Sequence, residues 1–350
     1  MTSGVVAMVF GGLVPGFLLG LLRYSVAQEI AEVLRVDPAV LLDPRKPPPA
    51  AATGLDGVDA IRAALAHYHQ RPIRVVPVDE VQRHVAHAWL TYQHAHYTQL
   101  LRALPNLLDA AHTTPSLLLP AYRITACVLV KLGEADLAWL AADRAVTAAT
   151  GDPIGTGTAT IAVAQALRAL GRDRLALTAA VAGAGTAADD GVRGTLLLQA
   201  AMAAAGCGEC RRVEDLIDHA ATLADRHTVH DDPHHTTFGP IAVLLARFLT
   251  ALHLGDADEA VYRHEQAVRR DDWRLLPAEH RAAHLIDAAR AYLQTGDLAK
   301  GGHTLAAADA VAPAEVRLRP AARTLVTEIA HHGPAVASVA RLATRIGLTR

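Results

Sequence analysis

The sequence predicts an all-α protein, an α-solenoid of stacked helical hairpins, and three observations carry that prediction. Of 350 residues, 72 are Ala and 47 are Leu, whereas Phe, Trp and Tyr together number 14. Ala and Leu lose little entropy in a helix, while sheets draw on β-branched and aromatic side chains to cover a pleated surface. From residue 58 onward apolar residues recur at helical spacing, and turns centred on glycine return every 37 to 47 residues. That interval is the one at which a repeated helical unit stacks on its own copies.

Taken in chain order, residues 1–22 come first and carry no charged side chain. The run is long enough to cross a bilayer. Five glycines and Pro15 interrupt it, however, no basic segment precedes it, and the first cation, Arg23, follows it. A signal peptide and a membrane anchor are both disfavoured, and an irregular apolar N-terminus, packed on the protein or poorly ordered, is expected. In the next stretch Val26, Ile30, Leu34 and Leu41 fall at helical spacing behind Ser25, a capping residue, which predicts a short helical module. Pro44 and the triplet Pro47, Pro48 and Pro49 then predict an extended, semi-rigid linker. The division expected is 1–42, 43–57 as linker, and 58–350 as solenoid.

Within the solenoid the turn glycines are Gly133, Gly171, Gly208, Gly255 and Gly296. Five residues beyond each stand Ala138, Ala176, Val213, Ala260 and Gly301. Twelve beyond stand Ala145, Gly183, Ala220, Ala267 and Ala308. Small residues seven apart on the second helix of a hairpin let the first helix and the next hairpin approach closely. Pro313 stops the last of these helices. Glycine in the turn, small residues five and twelve later and a closing proline resemble the tetratricopeptide repeat. A weaker copy begins the series, with Trp89 and Tyr92 in its first helix and Tyr97 after a turn without glycine. The repeats span roughly residues 78–313, and the remaining segment caps the exposed end of the stack.

The phrases LRVDPAVLLDP, DLAWLAADRAVTAA, TTFGPIAV and EVRLRPAARTLV resemble those of actinobacterial transcriptional regulators that join an Xre-type helix-turn-helix to a tetratricopeptide-like sensor domain. The resemblance covers residues 25–350. It implies DNA binding, as a dimer across two half-sites, through the first part, and recognition of a peptide, small molecule or protein ligand by the solenoid of a cytoplasmic protein. Residues 1–42 read as a truncated helix-turn-helix remnant. Their charges are Arg23 and Arg35 against Glu29, Glu32 and Asp37, whereas a DNA reader concentrates cations on one helix. DNA contact is therefore expected only where an intact helix-turn-helix is present. A tetratricopeptide-like interaction scaffold that never touches DNA is the alternative.

Charge and chemistry narrow the rest. Thirty-three Lys and Arg against 35 Asp and Glu leave a net charge of -2, so no overall basic field draws the chain to nucleic acid or to a membrane. Three cysteines make no disulfide framework. Cys207 and Cys210 form a CxxC on an inter-helix turn, without the further ligands that a structural zinc needs. His227, His230, His234 and His235 with Asp231 and Asp232 could ligate a metal, but a polar inter-repeat loop accounts for the same residues. The pairs His84 with His87 and His94 with His96 are read as solvated surface. Residues 151–160, GDPIGTGTAT, lack a phosphate-binding lysine and are read as a loop. No nucleophile elbow is present, so no enzyme, metal or cofactor is expected.

What remains is the concave face lined by the first helix of each hairpin. There the sequence places Arg123, Lys131, Gln165, Arg168, His253, Arg290 and Gln294 among apolar neighbours. Cationic and amide groups on such a surface suit an extended peptide or an acidic ligand.

Overall fold

A computed structural model describes residues 57–66, 76–226, 232–331 and 337–348, all within the unit that runs from Asp56 to Arg350. The N-terminal apolar run, the module of residues 23–42 and all of the linker but Gly57 lie outside the described residues. Among the described residues every regular element is helical, as the composition predicts, and no helix is long and apolar enough to cross a membrane.

A first helix, α1 (Val58–Ala66), lies against α3 and α5. Six hairpins follow: α2 (Val78–Gln93) with α3 (Tyr97–Ala111), α4 (Pro115–Lys131) with α5 (Ala135–Ala148), α6 (Pro153–Ala169) with α7 (Asp173–Thr186), α8 (Asp190–Gly206) with α9 (Cys210–Ala224), α10 (Pro240–His253) with α11 (Ala257–Val268), and α12 (Ala278–Gln294) with α13 (Leu298–Val311). The short α14 (Pro313–Leu318), then α15 (Pro320–His331) and α16 (Ala337–Arg345), fold over α13 and cover the end of the stack.

The turns show why the hairpins form. Gly133, Gly171, Gly208, Gly255 and Gly296 all adopt left-handed backbone, with φ between 67° and 84°. That conformation lets the next N–H reach back over the helix end, as Glu134 does to the Leu129 carbonyl at 2.9 Å and Asp297 to that of Tyr292 at 2.8 Å. Between α2 and α3 the same bond runs from His96 to Thr91 at 2.9 Å, and Ala95 takes the left-handed position at φ 57°. An Ala there costs about 1 kcal/mol that glycine avoids.

Eight of the ten small positions are Ala or Val side chains that are fully or almost fully buried. Gly301 is also buried, and a Cβ on it would run into Leu293. Gly183 is half-buried, with Thr160 Cγ2 2.8 Å from where its Cβ would stand.

The segment 151–160 departs from its expected loop. Only its first two residues precede α6, and Asp152 caps that helix by accepting from the Ile154 N–H at 3.0 Å. Gly155 and Gly157 stand inside the helix because neighbours crowd them. A Cβ on Gly157 would lie 2.7 Å from Val192 Cγ1, and one on Gly155 2.8 Å from Leu119 Cδ2. Close packing, not turn formation, put these glycines there.

The first helices form a ladder in which α2 touches α4, α4 touches α6, α6 touches α8, α8 touches α10 and α10 touches α12. Contact between α12 and α2 then closes the ladder on itself. The concave face expected from the repeats is thus the inside of a ring of six helices, with their hairpin partners outside. Between α9 and α10, Asp232 ties residues 232–239 into a tight loop by accepting from the N–H groups of Thr236 at 2.9 Å and Thr237 at 2.8 Å. Phe238 anchors the loop in a slot over Gly194, where a Cβ would collide with the ring. Gly194→Ala is expected to cost about 1–3 kcal/mol through overpacking, read as a lower urea midpoint; an unchanged midpoint would show that Phe238 does not sit there.

Candidate functional site

The ring encloses a cavity of about 220 Å³, to which α2, α4, α6, α8 and α12 all contribute side chains, as does the 232–239 loop. Arg123 and Lys131, two turns apart on α4, face it with Gln165 of α6, so three of the seven predicted residues meet there. Arg168 reaches it at second hand, donating from Nη1 to Gln199 Oε1 at 3.0 Å. His253 gathers with Arg168, Asp287 and Arg290, and Arg290 stands 3.5 Å from Asp287 Oδ1. Gln294, the last residue of α12, is exposed and does not line the cavity.

One side of the cavity is a buried charge cluster that joins the two ends of the stack. Lys131 Nζ lies 2.6 Å from Glu279 Oε2 and 2.8 Å from Glu315 Oε1. Arg319 donates to the other Glu315 oxygen at 2.8 Å, and the Tyr97 hydroxyl donates to Glu315 Oε1. His280 pairs with Glu279 Oε1. Two carboxylates thus face two cations, and each acid sits in the first turn of its helix, where the helix dipole favours negative charge. Burial alone would raise the Glu279 pKa, but His280 and Lys131 more than reverse this and hold it down to about 2. Burial opposes the Lys131 ammonium as well, yet Glu279 and Glu315 keep its pKa above the ordinary value. Burial, with Glu315 alongside, pushes the Tyr97 hydroxyl well up, so it remains a donor.

Arg123 forms the other side. It is 7% exposed, and its Nη2 donates to the His234 carbonyl at 2.9 Å. Its guanidinium lies 5.3 Å from the centre of the Trp89 ring, on which His235 stacks at 4.4 Å and 17°. The loop bends to allow this, since His235 and Thr237 both adopt positive φ, near 50°. Burial lowers the His235 pKa, so its ring is neutral at pH 7. Burial also pushes Cys127 up to about 11, leaving a thiol that donates to Gln165 Oε1 at 3.7 Å. A buried thiol of this kind is not a nucleophile.

Sequence reasoning missed Trp89, Glu279, Glu315 and Arg319 as site residues. One signal was present: Pro-Ala-Glu occurs at 277–279 and again at 313–315, each time opening a helix and delivering its acid to Lys131. By spacing alone Trp89 marks only the first repeat.

The remaining candidates lie elsewhere. Cys207 and Cys210 flank the left-handed Gly208 at the α8–α9 turn, and Cys210 is exposed. His227, His230 and Asp231 lie outside the described residues, whereas His234 and His235 serve the cavity wall. His87 reaches Gln99 at 3.5 Å on the exposed flank of the first hairpin, and the rings of His94 and His96 are 6.0 Å apart. Among the described residues no three His, Cys, Asp or Glu side chains are grouped so as to hold a metal ion. Comparison of the chain with family models, with curated proteins and with solved structures finds no match, so the site is read from its own residues.

Proposed function

We propose that this chain is the sensory part of a cytoplasmic transcriptional regulator of the Xre/tetratricopeptide type, recognising its ligand inside the ring of first helices. The observation that carries the reading is the polar interior. Arg123, Lys131, Gln165 and Gln199 converge on a space that ring closure leaves unfilled, where a purely structural stack would bury apolar side chains. Closure also favours a small molecule over an extended peptide among the ligands that the resemblance allows. The scaffold reading draws support from α5, where Trp139 and Val146 are both exposed and stand seven residues apart on one face.

Gel shifts with DNA upstream of the protein's own gene separate the two. The chain as it stands is expected to give no sequence-specific shift at physiological salt, because residues 1–42 bring only Arg23 and Arg35 to a phosphate backbone that needs several contacts. The same chain joined behind an Xre-type helix-turn-helix is expected to bind. Failure of the joined protein to bind would favour the scaffold, and tight, salt-sensitive binding by the chain alone would overturn the reading of residues 1–42.

A further inference from the structure

The hydrogen-bonding groups left over in the cavity are unequal in kind. An arginine carries five N–H donors, and among the described residues the one protein hydrogen bond of Arg123 goes to a carbonyl, not to a carboxylate. The oxygen of Gln165 is taken by Cys127 and that of Gln199 by Arg168, so both amides have their NH₂ groups to offer. Trp89 Nε1, fully buried, has no hydrogen-bond partner among the described residues. Lys131 is already matched by two carboxylates, and the one acid of the wall, Glu279, has Lys131 on Oε2, while its Oε1 lies close to His280 Nδ1 without a hydrogen bond. On the Arg123 and Trp89 side, where Asp232 acts on Arg123 only through space, donors outnumber acceptors, and what is lacking is an acceptor carrying negative charge.

We propose that the cavity binds a small carboxylate, with the carboxylate held by Arg123 and an apolar body lying against Ile161, Ala162 and Ala283. A guanidinium presents paired donors in the geometry that a carboxylate accepts, and the apolar residues share the wall with it. Size agrees. The cavity of about 220 Å³ meets a second, of about 310 Å³, at Trp89, Arg123 and His235, and a small acid fits where a folded or extended peptide does not. The inference rests on reading the ring as a sensor. The gel shifts test that reading without reference to the ligand.

The test is thermal unfolding of the full chain with benzoate, and with benzamide as the neutral probe of the same shape. Benzoate at about 10 mM is expected to raise Tm by about 2–4 °C, as binding to the folded state alone requires, and benzamide is expected to leave it unchanged. Arg123→Gln should abolish the benzoate shift while Arg211→Gln, at an exposed position of α9 outside the cavity, keeps it. Circular dichroism establishes that the variants are folded. Ala283→Leu, which fills the cavity and leaves the charge, should abolish the shift as well and decides the matter if Arg123→Gln does not fold. No shift with benzoate, equal shifts with benzamide, or a shift that survives in a folded Arg123→Gln or Ala283→Leu chain would overturn the proposal.

Discussion

Replacing Lys131 by Met is expected to lower the stability of the chain by about 3–5 kcal/mol, the cost of leaving buried carboxylates without their cation. Glu279 is 2% exposed and Glu315 fully buried, so neither can recover its hydration while the ring stays closed. Glu315 keeps Arg319 and Tyr97, but Glu279 keeps only the neighbouring His280. Glu279→Gln should cost less, because Lys131 retains Glu315 and the amide keeps the shape of the acid. Urea unfolding of the two variants checks the order; equal and small losses would mean that water reaches the cluster.

Acid is expected to destabilise the chain in two stages. His264 Nδ1 and His284 Nε2 meet at 2.9 Å beside Phe248 in the α10–α12 core, sharing one proton between two neutral rings. Burial holds His264 down to about 4 and His284 well below the ordinary histidine value, where the neighbouring His264 lowers it further. Below about pH 6.5 the unfolded chain takes protons that the folded pair refuses, so stability falls as pH drops from there toward 4. His264 alone contributes about 3 kcal/mol to that loss. His112, His235 and His253, each lowered by burial, act in the same direction. The second stage belongs to Glu279. Its folded carboxyl titrates near 2, so its contribution is complete above the unfolded value of about 4.3 and drains as pH falls toward 2. Urea midpoints measured from pH 7 to pH 2 should therefore fall throughout, beginning near 6.5. A flat profile between pH 7 and pH 5 would place the histidine pair in water.

The two halves of this account were not equally legible in the sequence. Hairpins follow local rules: a left-handed glycine ends five of the six first helices, and small residues five and twelve later let the second helix close on its neighbours. Ala138, Ala176, Ala260 and Ala308 could be placed in the core from spacing alone. Gly155 and Gly157 could not be placed, because the same residue that relaxes a turn also relieves a crowded helix, and only the neighbours Leu119 and Val192 decide between them. Ring closure was out of reach for a different reason. Lys131 and Glu279 are 148 residues apart, and Tyr97 and Glu315 are 218 apart, and nothing in a local pattern states how far a stack of hairpins curls. Spacing assigns seven polar residues to the first helices, but that three of them, Arg123, Lys131 and Gln165, meet in a cavity beside Trp89 depends on that curl.

Closure is tested most directly by the coupling between Tyr97 on α3 and Glu315 on α14. Tyr97→Phe, Glu315→Gln and the double variant form a cycle whose interaction energy isolates this one contact. A hydrogen bond to a buried carboxylate predicts a coupling of about 1.5–3 kcal/mol. Strict additivity of the two substitutions would contradict the closed ring.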